Sequence, residues 1–337
     1  MNGQHSYQPP YTITPEILKL VAEISELVGR LTVLTDNSKE LRLRRINRIR
    51  TIQGSLAIEG NTLSEEQMTA ILDGKRIIAP PREVQEVRNA IVAYDNLRQW
   101  RPDIEADLLE AHRDLMTGLI DEVGTYRRGG VGVMSGEKII HMAPPAERVP
   151  QLMSDLFHWL TNDECHPLIL SSVFHYEFEF IHPFADGNGR VGRLWQSLIL
   201  TSWNGLFANI PVESLIYEHQ VDYYQALQQS TEQTDSAPFI EFVLTMILAA
   251  VTATPQDGPQ VTPQVSSLLG VMRGELSRES LQETLGLQDR KSFRERYLKP
   301  ALIAELIEMT LADKPNSRLQ KYRLTGKGQQ WLEQHKK

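Results

Sequence analysis

A mainly α-helical protein of more than one unit is predicted by three features of the 337-residue sequence. Apolar residues return every three or four positions through most of its length, the spacing that lines one face of a helix. Around residues 129–142 that spacing gives way to glycines and to β-compatible Val131, Val133, Ile139 and Ile140 about Ser135-Gly136, which predicts a small β-hairpin. Residues 252–263 then read Thr-Ala-Thr-Pro-Gln-Asp-Gly-Pro-Gln-Val-Thr-Pro, a linker composition, and a different pattern follows it.

Composition sets the outer bounds. A hydrophobic fraction of 41% with 23% charged residues is that of a globular protein with a sizeable core. The formal charge of -8 argues against a whole surface shaped for nucleic acid and leaves room for one basic module. The single cysteine, Cys165, excludes an intrachain disulfide and fits a reducing compartment. The first ten residues are polar and lack the basic-then-apolar order of a secretory signal. No apolar run approaches the roughly 20 residues of a membrane helix, so a cytoplasmic protein with no membrane partner is expected.

Taken in order, Thr14-Pro15 starts a helix whose Ile17, Leu20, Val21, Ile24, Leu27 and Val28 share a face. A second helix is expected over about residues 40–53, with Leu43, Ile46, Ile49 and Ile52 recurring among Arg42, Arg44, Arg45, Arg48 and Arg50; such a basic run reads as a solvated or ion-paired surface. Ser55-Leu-Ala-Ile-Glu59-Gly60-Asn61 looks like a helix end, Gly60 and Asn61 accepting left-handed geometry. Ser64 and Gln67 form a capping box for a short helix through Met68, Ile71 and Leu72, ended by Gly74. Residues 83–100 and 103–119 carry helical spacing (Val84, Val87, Ile91, Tyr94; Leu108, Ala111, Leu115, Leu119), and His112 among them reads as a packed or surface histidine. Beyond the hairpin, residues 150–160, 167–180 and 238–249 are amphipathic or apolar helices, and His158, His166 and His175 form no recognisable metal set.

Residues 182–193 concentrate chemistry: His-Pro-Phe-Ala-Asp-Gly-Asn-Gly-Arg-Val-Gly-Arg. Gly187 and Gly189 flank Asn188, so the backbone can turn tightly and aim N–H groups inward as a cradle for phosphate oxygens. Helical spacing resumes at Arg190, and a helix N-terminus favours anions. Asp186 is a hard carboxylate suited to a divalent cation shared with phosphates, Arg190 and Arg193 are fixed cationic forks, and His182 is a base that titrates near neutrality.

This stretch resembles the signature loop of the Fic family, which reads His-Pro-Phe, a variable residue, Asp or Glu, Gly-Asn-Gly-Arg, two variable residues and Arg; Ala185 and Val191-Gly192 stand in the variable places. The resemblance implies a Fic-type helical core and transfer of AMP from ATP to a Ser, Thr or Tyr hydroxyl of a protein, releasing pyrophosphate. His182 would be the general base and Asp186 would bind Mg2+. Gly187, Asn188 and Gly189 would surround the phosphates, Arg190 would contact the phosphate chain, and Arg193 would meet the γ-phosphate. Residues 129–142, preceded by Gly124-Thr-Tyr-Arg and followed by Pro144-Pro145, resemble the family's flap, which holds an extended protein substrate as an added strand. Self-modification is a further possibility within that implication.

Ser55, Glu59 and Gly60 resemble the inhibitory motif of one Fic class, Ser or Thr, three variable residues, Glu, then Gly or Asn. The resemblance implies that Glu59 pairs with Arg193 and denies it to the γ-phosphate. Some family members of this arrangement also remove AMP from modified protein in the presence of metal, so a bifunctional enzyme stays open. Residues 211–229, including Glu213, Tyr217, Tyr223 and Tyr224, are either lining of an adenine pocket or ordinary helical packing.

The sequence thus divides into residues 1–100, helical and carrying the inhibitory motif at 55–60; residues 101–250, the catalytic core; a linker at 251–263; and residues 264–337. In the last, helices over 265–272, 277–285 and 291–306 and a two-stranded element over 310–324 resemble a winged helix, an appendage of some longer Fic proteins. Residues 286–327 hold ten Lys or Arg against five acids, a balance compatible with DNA, an acidic protein or an oligomer contact. A DNA-binding regulator whose core senses nucleotide is therefore the competing account, and a homodimer is compatible with the family.

Overall fold

A computed structural model describes residues 7–34, 37–135, 138–253, 263–287, 289–304, 306–311, 317 and 319–334. The chain separates into two compact units, Met1–Thr254 and Pro255–Lys337. Residues 1–100 and 101–250 lie in the same unit: α1 (Pro15–Leu34), near one end of the chain, packs on α11 (Ala237–Ala253), near the other end of that unit. Residues 254–262 of the expected linker lie outside the described residues.

The expected helical spacing produces the expected faces. Ile17, Leu20, Ile24, Val28 and Leu31 of α1 are buried, and Thr14 caps the helix by accepting from the Ile17 N–H at 3.2 Å. α2 (Asn37–Ile58) extends beyond the expected end near residue 53, straight through Gly54. The reason is packing: a Cβ at Gly54 would lie 2.6 Å from the Glu213 backbone in α9 (Val212–Glu218). Glycine is there to let two backbones approach, and the cost of glycine within a helix is outweighed by the close α2–α9 contact. α2 then ends at the turn that carries Glu59 and Gly60, the latter at φ +89°.

α3 (Glu65–Leu72) begins with the expected capping box, complete in both directions between Ser64 and Gln67. α4 (Pro81–Asn96) starts on a proline at its first turn. Next come α5 (Glu105–Met116), the hairpin β1 (Gly132–Ser135) and β2 (Lys138–Met142), and α6 (Val149–Asn162). The hairpin is antiparallel and pairs Gly132 with Met142 and Ser135 with Lys138, with a register shift between Val133 and Met134. α7 (Pro167–Ile181) is buried around almost its whole circumference, and α8 (Asn188–Trp203) packs closely on it. A helix apolar on all sides belongs in a core; α7 is the centre of this one, enclosed by α6, α8, α10 (Gln220–Gln233) and α11.

The second unit has its own core of Val265, Leu268, Leu269, Leu281, Phe293, Leu298, Ala301 and Tyr322. Its order is α12 (Pro263–Val271), β3 (Leu276–Ser277), α13 (Arg278–Thr284), α14 (Arg290–Phe293), a π-helical turn at Arg294–Leu298, α15 (Lys299–Ile303), β4 (Ile307–Met309), β5 (Lys321–Leu324) and α16 (Gly326–Gln334). Three helical segments precede two antiparallel strands, as expected, but β4 lies before the expected 310–324 stretch, residues 312–316 between the strands lie outside the described residues, and the sheet has three strands in the order β3-β5-β4. The two-residue β3 is too short to leave a periodic signal, and α16 was not anticipated. This is a distinct α/β appendage to a predominantly α-helical core.

Candidate active site

The signature loop joins α7 to α8, and its shape follows from how its polar groups are satisfied. His182 ends α7 in the left-handed region, φ 50° and ψ 61°, while its N–H still donates to the Phe178 carbonyl at 2.9 Å. A β-carbon residue in that region is strained and must be held by its surroundings. Arg127 does the holding. Its Nε donates to the His182 carbonyl at 2.7 Å and its own N–H donates to the Pro183 carbonyl at 2.9 Å. The rest of the same guanidinium reaches Gly129 O at 2.8 Å, Pro144 O at 2.6 Å and Ile181 O at 3.3 Å. One buried side chain therefore fixes the end of α7 relative to both ends of the hairpin segment. Sequence reasoning quoted the Gly-x-Tyr-Arg preceding the flap but gave Arg127 no role.

Asn188 closes the loop on itself. Its Oδ1 accepts from the Phe184 N–H at 2.8 Å and its Nδ2 donates to the Phe184 carbonyl at 2.9 Å. The side chain expected near the phosphates is thus engaged in shaping the loop, which leaves the backbone N–H groups at the start of α8 as the anion-facing donors. Gly187 is left-handed at φ 86°, and a Cβ there would meet Met116 Sδ at 2.6 Å. Phe184 is fully buried and stacks on His112, ring centroids 3.7 Å apart. His112 Nδ1 accepts from the Gly124 N–H at 2.8 Å and Nε2 lies 3.1 Å from the Asp186 carbonyl. Both contacts suit a neutral ring, and burial lowers its pKa to about 4. His112 is a packing residue beneath the loop, as its spacing implied.

Asp186 keeps its side chain 42% exposed. Oδ1 accepts from the Gly187 N–H at 2.6 Å and lies 3.0 Å from Arg190, while Oδ2 lies 3.4 Å from Arg82. Arg190 is buried, with Glu86 3.8 Å away on its other side. Among the described residues no group of three or more His, Cys, Asp or Glu side chains is arranged to hold a metal. A lone accessible carboxylate is the donor set of a Mg2+ that takes its other ligands from phosphate oxygens and water.

The predicted inhibitory residues meet the loop. Arg193, 1% exposed, donates from Nη2 to Glu59 Oε1 at 2.6 Å and to the Ser55 carbonyl at 3.0 Å, and from Nε to Ser55 Oγ at 3.2 Å. Burial alone would lower the guanidinium's pKa; the Glu59 carboxylate and its hydrogen bond reverse that and hold it charged. Glu59 also presses on the cradle, because a Cβ at Gly189 would collide with Glu59 Oε1. The turn after Gly60 is clamped to α4: Asn61 Nδ2 donates to Glu86 Oε2 at 2.9 Å, and Thr62 donates to Glu83 Oε2 through N–H at 2.6 Å and Oγ1 at 2.9 Å. Glu86 thus touches both the turn after Gly60 and, at longer range, Arg190. Nothing in the spacing of α4 marked it.

The residues weighed for a base pocket are placed separately. Glu213 is buried and accepts from Ser197 Oγ at 2.6 Å. Tyr223 is buried with its hydroxyl 3.3 Å from His175 Nε2, whereas Tyr217 is 40% exposed.

Comparisons with known proteins identify the family. Residues 101–200 match the Fic/DOC family, and residues 263–325 match the C-terminal domain of Filamentation induced by cAMP protein Fic-like. The crystal structure of a Fic family protein from Desulfovibrio desulfuricans G20 is 56% identical over 96% of this chain and 99% of that one, with a TM-score of 0.73. Fic-1 from C. elegans (residues 134–508) is 27% identical over 70% of this chain and 71% of that one, TM-score 0.59. The chain belongs to the Fic family. Among sequences, "Protein adenylyltransferase Fic" from Nematostella vectensis is 31% identical over 57% of this chain and 45% of its own length. The protein of the same name from Culex quinquefasciatus is 32% identical over 58% and 39%. The chain therefore spans less than half the length of these curated relatives.

Proposed function

We propose that this protein is an adenylyltransferase that moves AMP from ATP to a Ser, Thr or Tyr hydroxyl of a target protein, and that Glu59 restrains it. The observation that carries the reading is the 2.6 Å pair between Arg193 and Glu59 at the head of a complete signature loop. The relatives named as protein adenylyltransferases support the same reaction.

His182 takes the proton of the target hydroxyl as its oxygen attacks the α-phosphorus, and the bond to pyrophosphate breaks. Gly187 and Gly189 let the backbone of the loop approach the phosphates, Asn188 keeps that backbone in shape, and Arg190 supplies fixed positive charge beside it. Mg2+ would be held by Asp186 and, when bound, neutralises developing negative charge on phosphate oxygens. Glu59 acts on ground that the γ-phosphate needs. It neutralises Arg193 and brings a carboxylate over Gly189, where a third phosphate would meet repulsion instead of a cationic fork. β1 and β2 would hold the target as an added strand, positioning its hydroxyl by main-chain bonds.

The trial compares wild type with Glu59→Gly, using α-labelled ATP, magnesium and lysate. Strong labelling in the Glu59→Gly protein alone is the expected result; two equally dark lanes from folded proteins would reject restrained AMP transfer. Release of AMP from modified target with metal and without ATP, lost in Glu59→Gly, would instead mark Glu59 as a hydrolytic residue. For the second unit, DNA or an acidic protein remains the proposed kind of partner, although Arg323 on β5 is already paired with Glu308 at 2.6 Å and Glu275 at 3.5 Å. Salt-sensitive duplex binding separates the two.

A further inference from the structure

One carboxylate beside the base belongs to neither the signature nor the inhibitory motif. Glu179 lies three residues before His182 on α7, 8% exposed, with Oε2 3.8 Å from His182 Nδ1 and Oε1 3.8 Å from His175 Nε2. Its backbone carbonyl is also on the Nδ1 side, at 3.4 Å. Two acceptors of one residue therefore face the same ring nitrogen.

The rest of its surroundings explain how a carboxylate is kept there. α8 approaches through Gly192, where a Cβ would lie 3.1 Å from Glu179 Oε1 and 3.1 Å from the His175 ring. Oε1 is buried without a hydrogen-bond partner. Burial pushes the Glu179 carboxyl up to about 7, the Arg193 charge pulling it back and the Glu59 charge adding to the rise. His175, fully buried, is held neutral by burial at about 3, its Nδ1 2.8 Å from Gln196 Oε1 and its Nε2 3.3 Å from the Tyr223 hydroxyl. The titratable and charged groups facing Glu179 are thus His175 and His182 on its own helix, Arg193 on α8, Tyr223 and Tyr224 on α10, and Glu59 after α2. A buried carboxylate with an unmet oxygen costs stability, so its location beside the base calls for a functional reason.

Resting on the AMP-transfer reading, we propose that Glu179 is a positioning residue for His182: it holds the ring proton on Nδ1, leaves the Nε2 lone pair for the target hydroxyl, and stabilises the imidazolium formed in the reaction. The step balances without a further reactant. The hydroxyl O–H breaks and its proton goes to Nε2, the oxygen bonds to the α-phosphorus, and pyrophosphate departs with the electrons of the broken bond. The Nδ1 proton stays where it was, now facing a negative charge.

The experiment compares Glu59→Gly with Glu59→Gly/Glu179→Gln, measuring AMP transfer from pH 5.5 to 9. Glutamine keeps the shape and removes the charge. The double variant is expected to lose about tenfold to a hundredfold in kcat with KM for ATP nearly unchanged. The acidic limb of its profile should move about one pH unit lower: with Glu59 gone its charge no longer raises Glu179, the Arg193 charge favours the ionised carboxylate, and losing that carboxylate lowers the pKa of its histidine. An unchanged limb and kcat would overturn the proposal. If Glu59→Gly itself transfers no AMP, the activity reading falls, and the positioning claim is decided by histidine NMR, with the His182 signal assigned from its loss in His182→Ala. The His182 midpoint should be about one unit lower in Glu59→Gly/Glu179→Gln than in Glu59→Gly, and equal midpoints would overturn the assignment. Should Glu179→Gln fail to fold, Glu179→Leu, of similar size and without polar atoms, takes its place in both measurements.

Discussion

The signature loop and the inhibitory turn face each other across Arg193, yet they are held in unlike ways. In the loop, backbone carbonyls and N–H groups are met by buried side chains: Arg127 on His182, Asn188 on Phe184 and His112 near Asp186. The turn is joined to the loop by one carboxylate, 36% exposed, beside Ser55 at the end of α2. Its other ties, from Asn61 and Thr62 to Glu83 and Glu86, lie on the side of α4. The loop geometry is over-determined, whereas the proposed restraint hangs on few polar contacts. Arg193 itself is buried, so Glu59 is exchanged at small cost only for another anion, such as a phosphate, that keeps the guanidinium matched.

The comparison predicts that damage to the loop is severe and damage to the turn is liberating. The largest effect belongs to His182→Ala. In the Glu59→Gly background it should lower AMP transfer about a thousandfold or more without changing the melting temperature, as measured by label incorporation and calorimetry. Arg127→Ala comes next, since it strands carbonyls of His182, Gly129 and Pro144 together; a loss of about 3–5 kcal/mol is expected in urea unfolding. Gly187→Ala combines a positive φ with a collision against Met116, and should cost about 1–3 kcal/mol in the same experiment.

A smaller, pH-dependent effect lies outside both regions. Tyr7 donates to the buried Glu177 at 2.5 Å, and burial raises the Glu177 carboxyl from 4.5 to about 7. A raised acid contributes stability that is present below its unfolded pKa and is lost as pH climbs through the folded value, so the window is about 4.5 to 7. Glu177→Gln should flatten the decline in urea midpoint across that window; an unchanged slope would remove Glu177 as its source.

Much of this was legible in the sequence, for physical reasons that differ by region. Helix faces were readable because burial of Ile17, Leu20 and Ile24 repeats with the helical period. The signature was readable because phosphate chemistry needs its residue types in consecutive order. The extension of α2 through Gly54 was not, since its cause is a backbone contact with α9, about 160 residues later in the chain. Arg127, Glu86 and Glu179 were hidden for a related reason: each acts on the loop from another element or from outside the motif, and a side chain's reach across the fold leaves no local period. The wing-like unit gave up its helices and a hairpin, while β3 was too short to be read.

The central claim is that Glu59 occupies the place where Arg193 would receive a γ-phosphate. Its most direct test is calorimetric titration of ATP and ADP, each with magnesium, into wild type and Glu59→Gly, both carrying His182→Ala to prevent turnover. The account predicts that removing Glu59 tightens ATP about tenfold or more and leaves ADP nearly unchanged, a gain confined to the nucleotide with a third phosphate. Equal gains for both nucleotides, or none for either, would contradict it.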